Sequence, residues 1–212
     1  MPPKLIPEYA VLASGRGSNL QALLEAVTKN IVPYFPRVVL SDNLDAKALT
    51  IAAEHGIETV FLDPKKHKGR IAYGEGIKSE LASRGVEYIC LAGFMRILGE
   101  NVVAAFPNRI INIHPSLLPS FPGLEAQRQA LDAGVEESGC TVHFVDSGVD
   151  TGPIIMQAKV KVNQNDSVQA LSERILEQEH LIYPKVISAL LEKRITIKNG
   201  VVTVHNSDGR KD

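Results

Sequence analysis

Apolar residues in the first half of the chain occur in two kinds of segment. Short, nearly continuous runs such as YAVLAS and YICLAG are typical of strands that are buried on both faces. The longer segments between them have apolar residues at helical spacing. We predict strands at 9–14, 37–41, 58–62, 88–92 and 110–114, and helices at 18–28, 46–55, 71–83 and 99–106. This alternation predicts an α/β fold with a parallel sheet covered on both faces by helices.

The pattern changes after residue 114. A Pro-rich loop at 115–123 is followed by elements that we predict as a short helix at 125–133, strands at 140–145 and 154–162, a long helix at about 167–192 with a kink at Pro184, and a weak hairpin at 195–204. We expect the tail at 205–212 to be disordered. No repeat or low-complexity linker interrupts the chain, so we predict a single domain over residues 1–212 with halves at about 8–105 and 106–193.

Composition and charge exclude several classes of protein. Of 212 residues, 44% are apolar, which is too many for a disordered polymer. The 23 basic and 24 acidic side chains give a net charge of −1, whereas proteins that bind nucleic-acid phosphates carry a basic surface. No apolar stretch approaches the roughly 20 residues of a membrane-spanning helix, and residues 1–6 lack the apolar segment of an export signal. We therefore expect a cytoplasmic protein with no nucleic-acid or membrane partner.

The sequence does not suggest a metal site. Cys90 and Cys140 each lie in an apolar run, and neither has a second Cys or His at ligand spacing. We predict that both are buried free thiols. The six histidines are scattered, and the chain has no paired-cysteine or H-E-x-x-H motif.

A glycine-rich loop follows the first predicted strand. Gly15 and Gly17 permit a sharp turn, and Ser18 or Asn19 is expected either to cap the helix that begins there or to add a side-chain donor. The first N–H groups of such a helix form an anion site. Leu20 replaces the third glycine of the dinucleotide fingerprint, so we favour a single phosphate over a dinucleotide. A plain strand-to-helix turn explains the two glycines alone equally well.

Two polar residues interrupt the apolar strand at 110–114. Asn112 and His114 lie two positions apart and therefore on the same face, at the end of a strand where ligands of α/β sheets usually bind. A carboxamide and an imidazole directed at one point can stabilise an oxyanion and transfer a proton. The alternative is a pair of hydrogen-bonded core residues. The Pro-Ser-Leu-Leu-Pro run that follows them favours a functional role.

The turn DSGVDTGP supplies two candidate partners for the histidine. A carboxylate from Asp146 or Asp150 would favour the charged imidazole and raise the pKa of His114. Spacing alone favours an ordinary hairpin turn. A third feature is the AGFMRIL run after the fourth predicted strand, where Gly93 permits close approach of a ligand and residues 94–98 would form an apolar pocket for a flat heterocycle. A core strand leading into a helix explains this run equally well.

Several separate motifs together resemble the phosphoribosylglycinamide formyltransferases, a folate-dependent family of purine synthesis. They are SGRGSNLQALLEA, LAGFMRIL, NIHPSLLPSFPGLEAQRQAL, TVHFVDSGVDTGPIIMQ and QEHLIYP, in the family's order from about residue 9 to about 191. The Asn-x-His and Ser-Leu-Leu-Pro residues are shared by the wider superfamily of 10-formyltetrahydrofolate transferases and hydrolases, and the G-x-G-S-N loop is closer to the glycinamide enzymes. The resemblance implies the formyltransferase fold, a mostly parallel, Rossmann-like sheet flanked by helices.

The resemblance also implies roles for the matching residues. The catalytic positions are Asn112, His114 and Asp150, whereas Asp146 does not match the catalytic acid. The ribonucleotide-binding positions are Gly17, Ser18, Asn19 and Glu179, and the folate-binding positions are Arg70, Met95, Arg96, Ile97, Leu98 and Asn112. The N-terminal half would then bind the nucleotide phosphate, and the other half would contain the folate and catalytic positions. The resemblance further implies a cis peptide at Leu118–Pro119.

The implied reaction is formyl transfer from the co-substrate 10-formyltetrahydrofolate to the amine of 5-phosphoribosylglycinamide, without a metal. Asn112 and protonated His114 would stabilise the oxyanion of a tetrahedral intermediate, and Asp150 would keep His114 charged. Three alternatives are a formyltetrahydrofolate deformylase with water as acceptor, a methionyl-tRNA formyltransferase, and a nucleotide-binding module without catalysis. The net charge of −1 opposes the tRNA enzyme, and the sequence does not indicate an oligomeric state.

Overall fold

The computed structural model of the protein describes residues 7–206, which divide into one unit ending at Ile110 and another beginning at Ile111. The first unit contains a parallel sheet with the strand order β3-β2-β1-β4. Its strands are β1 (Glu8–Leu12), β2 (Val38–Ser41), β3 (Glu58–Phe61) and β4 (Val86–Leu91), and its helices are α1 (Ser18–Thr28), α2 (Lys47–Glu54), α3 (Gly69–Ala82) and α4 (Glu100–Ala105). The last four residues of β1 are fully buried, as the continuous apolar run predicts.

The second unit is built on antiparallel pairing. Strand β5 (Ile110–His114) pairs with β6 (Glu137–Phe144), which pairs with β7 (Ile154–Lys161). The remaining elements are α5 (Ala126–Asp132), α6 (Val168–Leu191) and the hairpin β8 (Ile195–Lys198) with β9 (Val201–Val204). Helix α6 begins after Ser167, whose Oγ accepts a hydrogen bond from the N–H of Ala170 at 3.1 Å. The helix continues through Pro184, and the kink there stays a prediction.

Most predicted elements agree with the structure to within two residues at each end. The main difference is β6, which begins at Glu137 rather than at Cys140, because the ladder to β7 extends through the non-apolar segment Glu-Ser-Gly. A 3₁₀ turn at Pro64–Lys66 was not predicted. It is stabilised by the carboxylate of Asp63, which accepts a hydrogen bond from the N–H of Lys65 at 2.9 Å.

Two local predictions are confirmed, and the capping alternative for Ser18 and Asn19 is wrong. The Leu118–Pro119 peptide is cis, and Cys90 and Cys140 are buried free thiols. Neither Ser18 nor Asn19 caps α1, because the helix begins at Ser18 and its N-cap position is Gly17, which has no side chain to donate or accept.

The remaining predictions about the organisation of the chain are tested only in part. Residues 207–212 of the expected disordered tail lie outside the described residues, but the N–H of His205 donates to the carbonyl of Arg194 at 2.8 Å. The prediction of a single domain stays a prediction. Within residues 7–206, no helix is long and apolar enough to cross a membrane.

Gly17 adopts a conformation that only glycine accepts without strain. Its φ is 74°, in the left-handed region, and a Cβ at this position would lie 2.9 Å from the Cα of Ala48. The neighbouring N–H of Ala48 donates to the carbonyl of Gly15 at 3.1 Å, so α2 packs closely against the glycine loop. The loop conformation therefore depends on the absence of a side chain at residue 17.

We expect Gly17→Ala to lower the free energy of unfolding by about 2 kcal/mol or more, because the left-handed conformation costs an alanine roughly 1–2 kcal/mol and the contact with Ala48 adds to that cost. Urea denaturation measures the change. Gly15→Ala is the matched control, since a Cβ there has no neighbour within 4 Å and its effect should stay within about 0.5 kcal/mol. Equal stabilities of the two variants would contradict this account of the loop.

Candidate active site

Two neighbouring strands of the second unit bring three polar side chains together. Asn112 on β5 lies directly opposite His143 on β6 in the antiparallel register. The amide Nδ2 of Asn112 lies 3.2 Å from Nε2 of His143. His114, two residues further along β5, is 5% exposed and His143 is 2% exposed. The imidazoles are therefore largely shielded from water, and their hydrogen bonds are made within the protein.

Asp150 joins this cluster from the loop between β6 and β7. Its Oδ2 lies 3.3 Å from Nδ1 of His114, and its Oδ1 lies 3.5 Å from Nε2 of His143. Its Oδ2 also accepts a hydrogen bond from the N–H of Gly123 at 2.8 Å. Burial raises the pKa of the carboxyl, but His143, the Gly123 N–H and His114 together lower it by more, so the net pKa is below the ordinary value of 3.8. Asp150 is therefore an anion at neutral pH.

Asp146, the other candidate carboxylate, has a structural role. Its Oδ1 accepts hydrogen bonds from the N–H of Gly148 at 3.0 Å and from the hydroxyl of Thr151 at 2.7 Å. These bonds close the turn that leads to Asp150. The structure therefore distinguishes the two acids by their partners.

The hydrogen bonds of His114 determine which of its atoms carry protons. Nε2 lies 2.9 Å from the carbonyl oxygen of Phe121, and because a carbonyl only accepts, Nε2 is the donor. Nδ1 faces the carboxylate of Asp150, which is also only an acceptor. Both ring nitrogens thus face acceptors, an arrangement that suits an imidazole with a proton on each nitrogen.

His143 differs from His114 in what it can do. Its Nδ1 donates to the carbonyl oxygen of Phe144 at 2.8 Å, so in the neutral ring Nε2 carries a lone pair. That lone pair can accept one N–H of the Asn112 amide. The second N–H of the amide is then available to an oxygen atom of a substrate. His143 therefore fixes which end of the amide acts as donor.

A network of hydrogen bonds anchors the loop that follows His114. The hydroxyl of Thr141 donates to the carbonyl of Ser116 at 2.6 Å and accepts from the N–H of Leu118 at 3.0 Å. The amide of Gln157 donates to the carbonyl of Leu118 at 2.9 Å and to Thr141 at 2.8 Å. The loop segment that leads towards the Phe121 carbonyl is thus attached to β6 and β7.

Neither serine nor cysteine chemistry is favoured near this cluster. Ser116 is fully buried, and its hydroxyl donates to the carbonyl of Ser120 at 2.6 Å. Burial raises the pKa of the Cys140 thiol to about 12, with the charge of Glu179 adding to the effect, and burial also raises the pKa of Cys90 well above its ordinary value. Both thiols stay protonated at neutral pH, which is the unreactive form.

The first unit has a cavity of about 480 Å³ beside α3. Its lining residues are Pro64, His67, Gly69, Arg70, Tyr73, Met95, Arg96 and Ile97. Four of the predicted folate-binding residues, Arg70, Met95, Arg96 and Ile97, therefore lie around one cavity. That cavity belongs to the first unit, whereas we expected the folate site in the half at about 106–193. Leu98 is buried and is not among the lining residues. The mixture of exposed apolar side chains and cations is suited to a ligand with a flat ring and an anionic group.

Arg96 is fixed in the wall of this cavity. Its Nε donates to Oδ2 of Asp42 at 2.6 Å, and its guanidinium carbon lies 5.7 Å from the ring centre of Tyr73. The Asp42 side chain is only 9% exposed, so this ion pair is partly shielded from solvent. Spacing along the sequence indicates no partner for Arg96.

The predicted ribonucleotide-binding residues lie on two separate elements. Gly17, Ser18 and Asn19 form the start of α1, where helical N–H groups have no partner within the helix itself. Leu20 is fully buried at the position of the third fingerprint glycine. Glu179 lies on α6 with its side chain buried, on the face that also carries Ile175 and Ile182.

Within the part of the chain that the structure describes, no group of three or more His, Cys, Asp or Glu residues is arranged to hold a metal ion.

The chain matches a known protein family over most of its length. The family model described as formyl transferase matches residues 8–187.

The chain belongs to the formyl transferase family.

This membership confirms the resemblance and the fold class that we predicted from the sequence motifs. The chain is 40% identical over 184 residues to the phosphoribosylglycinamide formyltransferase of Bacillus subtilis, covering 87% of this chain and 94% of that protein. It is also 46% identical over 183 residues to a trifunctional purine biosynthetic protein adenosine-3 of Drosophila pseudoobscura. The matched region is 85% of this chain but only 13% of that longer protein. The crystal structure of glycinamide ribonucleotide transformylase 1 from Symbiobacterium toebii superposes with a TM-score of 0.92 at 47% identity, covering 95% of each chain.

Sequence reasoning missed His143 in this formyl transferase. It lies in the quoted TVHFVDSG stretch, but within an apolar strand it is indistinguishable from an ordinary core histidine. The signal that identifies it is the antiparallel register of β5 and β6, which pairs it with Asn112. Spacing along the chain does not determine that register.

We expect Asp150→Asn to lower the stability of the protein at neutral pH, because a carboxylate with a lowered pKa stabilises the folded state when ionised. That contribution is fully present above the ordinary pKa of 3.8 and is lost as the pH falls through the lower pKa of the folded state. Urea denaturation at a series of pH values should therefore show a difference between the wild type and the variant that disappears in acid.

Asparagine is suited to this test because it tolerates the positive φ of 55° at residue 150. Asp146→Asn is the control, since its carboxylate bonds to Gly148 and Thr151 in the same loop. A difference between the wild type and Asp150→Asn that persists unchanged below about pH 2 would contradict the lowered pKa of Asp150.

Proposed function

We propose that this formyl transferase moves the formyl group of 10-formyltetrahydrofolate to the amine of 5-phosphoribosylglycinamide in purine biosynthesis. The relationship to the Bacillus subtilis enzyme, at 40% identity over 94% of its length, supports this assignment of substrates. The observation that carries the proposal is the cluster of Asn112, His114 and Asp150, with the carboxylate 3.3 Å from the imidazole. A carboxamide donor beside a paired imidazole is what acyl transfer through an oxyanion requires.

In this proposal the amine attacks the formyl carbon directly. A free amine is already a nucleophile, so no covalent intermediate with the enzyme is needed, in agreement with the buried, bonded Ser116. The carbonyl oxygen becomes an oxyanion as the tetrahedral intermediate forms. The available N–H of Asn112 donates to it, and one such donor typically lowers the activation barrier by about 2.7–4 kcal/mol.

His114 acts in the proposal as acid and electrostatic partner. Its Nε2–H donates to the carbonyl of Phe121 in the structure and would exchange that acceptor for the oxyanion. The anion of Asp150 stabilises the positive charge on the imidazole while the proton lost by the attacking amine passes to the departing folate nitrogen. The proton balance is then complete without another cofactor.

The substrate-binding residues have separate tasks. The start of α1 at Gly17, Ser18 and Asn19 would bind the phosphate of the ribonucleotide, because helix N-termini favour anions. Glu179 would accept hydrogen bonds from the same substrate. The cavity lined by Arg70, Met95, Arg96 and Ile97 would bind the folate. The family resemblance also assigns Asn112 and the buried Leu98 to that co-substrate.

The test of the proposal follows folate release from 10-formyltetrahydrofolate with and without 5-phosphoribosylglycinamide. We expect release that depends on the ribonucleotide and produces no formate. Equal release without the ribonucleotide, accompanied by formate, would identify the alternative deformylase. No release with either acceptor, together with phosphate binding, would favour the non-catalytic module.

We further propose that His143 is a positioning residue that acts through Asn112. His143→Ala should lower kcat about tenfold to a hundredfold with little change in KM. Asn112 is still present in this variant, but its amide is no longer held in the orientation that donates to the oxyanion. His143→Gln should restore part of the rate, since its amide oxygen can also accept from Asn112.

A double-mutant cycle separates this role from a structural one. In an Asn112→Ala background, His143→Ala should change kcat little further, because its effect passes through the missing amide. Circular dichroism confirms that each variant is folded. Additive losses in the double variant would overturn the positioning role of His143.

A further inference from the structure

One side chain outside the cavity of the first unit joins two of its walls. One wall includes Gly69, Arg70 and Tyr73 of α3, and the other is the run 95–97 after β4. Asn101 lies near the start of α4, four residues after that run, and is not among the lining residues. Its side chain contacts α3, so it connects the two walls from behind.

The amide of Asn101 donates to two acceptors on α3. Its Nδ2 lies 3.0 Å from the carbonyl oxygen of Ile71 and 2.7 Å from Oε1 of Glu75. The donors Asn101 and Lys78 lower the pKa of Glu75 below its ordinary value, so this carboxylate is ionised at neutral pH. Both acceptors lack a proton to donate, so the nitrogen of the amide is the atom that faces α3. These two bonds are here called the Asn101 tie.

The backbones of both walls approach each other closely at this point. A Cβ at Gly74 of α3 would lie 2.6 Å from Oδ1 of Asn101, and a Cβ at Gly99 would lie 3.1 Å from the carbonyl oxygen of Arg70. Oδ1 of Asn101 is buried and accepts no hydrogen bond within residues 7–206. A buried acceptor without a donor is costly, so the Asn101 tie has to offset that cost. The walls thus meet at Asn101, with no room for a Cβ at either glycine.

We infer that Asn101 is a positioning residue that sets the separation of the two cavity walls and, through it, the affinity for the folate. This inference rests on the proposed function, in which the folate occupies the cavity. Asn101 acts through α3, because Arg70 directly precedes its first acceptor and Tyr73 lies between the two acceptors. Walls that are in place before the ligand arrives need no ordering on binding, and such preorganisation increases affinity.

The expected effect is confined to one substrate. In the proposed function the ribonucleotide phosphate binds at the start of α1 and not in the cavity. Asn101→Asp would direct a second carboxylate at the Glu75 carboxylate and the Ile71 carbonyl, so two attractions become two repulsions. A single hydrogen bond changes an equilibrium by a factor of about 2 to 13, and we expect an effect on folate affinity within that range.

The test measures the KM values for 10-formyltetrahydrofolate and 5-phosphoribosylglycinamide, and the Kd of tetrahydrofolate by isothermal titration calorimetry. Asn101→Asp should raise the folate KM and Kd about threefold to tenfold, while kcat and the ribonucleotide KM stay within about twofold of the wild type. Asn101→Ala removes both bonds without adding a charge. It should raise the folate KM and Kd about twofold to fivefold, and it provides the same test if Asn101→Asp fails to fold.

A second substitution should rebuild one bond of the tie in the opposite direction. When Asn101→Asp is combined with Glu75→Gln, the glutamine amide can donate to the aspartate carboxylate. The folate KM should then return to within about twofold of the wild type. Lys78→Gln is the matched control, because it removes the other donor to Glu75, at 3.0 Å, and leaves the Asn101 tie intact. Its folate KM should equal that of the wild type.

Unchanged folate KM and Kd in Asn101→Ala, or an equal rise in the KM of both substrates, would overturn the positioning role of Asn101. A double variant that binds the folate no better than Asn101→Asp alone would also overturn it. Transfer by the wild type tests the proposed function separately. Transfer with folate constants that do not change in the variants contradicts the Asn101 tie alone, whereas absence of both transfer and tetrahydrofolate binding contradicts both.

Discussion

The site depends on one partly buried anion, the carboxylate of Asp150 between two histidines. Its two oxygens lie 3.3 and 3.5 Å from ring nitrogens of His114 and His143, and the N–H of Gly123 supplies a further donor. Burial alone raises the pKa of this carboxyl, and these donors and charges outweigh that effect, so the net pKa is lowered. The negative charge in turn favours a proton on Nδ1 of His114, which faces it. Charge, protonation and side-chain orientation in the cluster are therefore coupled.

The two histidines of the cluster differ because their backbone partners differ. Nε2 of His114 donates to the carbonyl of Phe121, which leaves Nδ1 to face Asp150. In His143 it is Nδ1 that donates, to the carbonyl of Phe144, which leaves Nε2 to face Asn112. A carbonyl oxygen accepts but never donates, which makes each assignment a consequence of geometry. The backbone carbonyls of Phe121 and Phe144 thus determine which ring nitrogen of each histidine is the donor.

Much of the fold follows from local sequence pattern. Continuous apolar runs identify buried strands such as β1, and helical spacing identifies α6 with its buried face. Of the candidate site, the same-face pair Asn112 and His114 follows from the two-residue period of a strand. The choice of Asp150 over Asp146 came from family resemblance, and the structure supplies the physical reason, because Asp146 closes the turn while Asp150 faces the imidazoles.

The sequence by itself determined the α/β class, the positions of the elements and the family, because each is encoded in local periodicity or in ordered motifs. Tertiary structure alone revealed His143 as the partner of Asn112, since a strand register joins residues 31 positions apart. It also paired Arg96 with Asp42 across 54 positions and gathered residues of the 64–70 segment and of the run after β4 around one cavity. Contacts of this kind depend on strand pairing and side-chain packing, which local spacing along the chain does not specify.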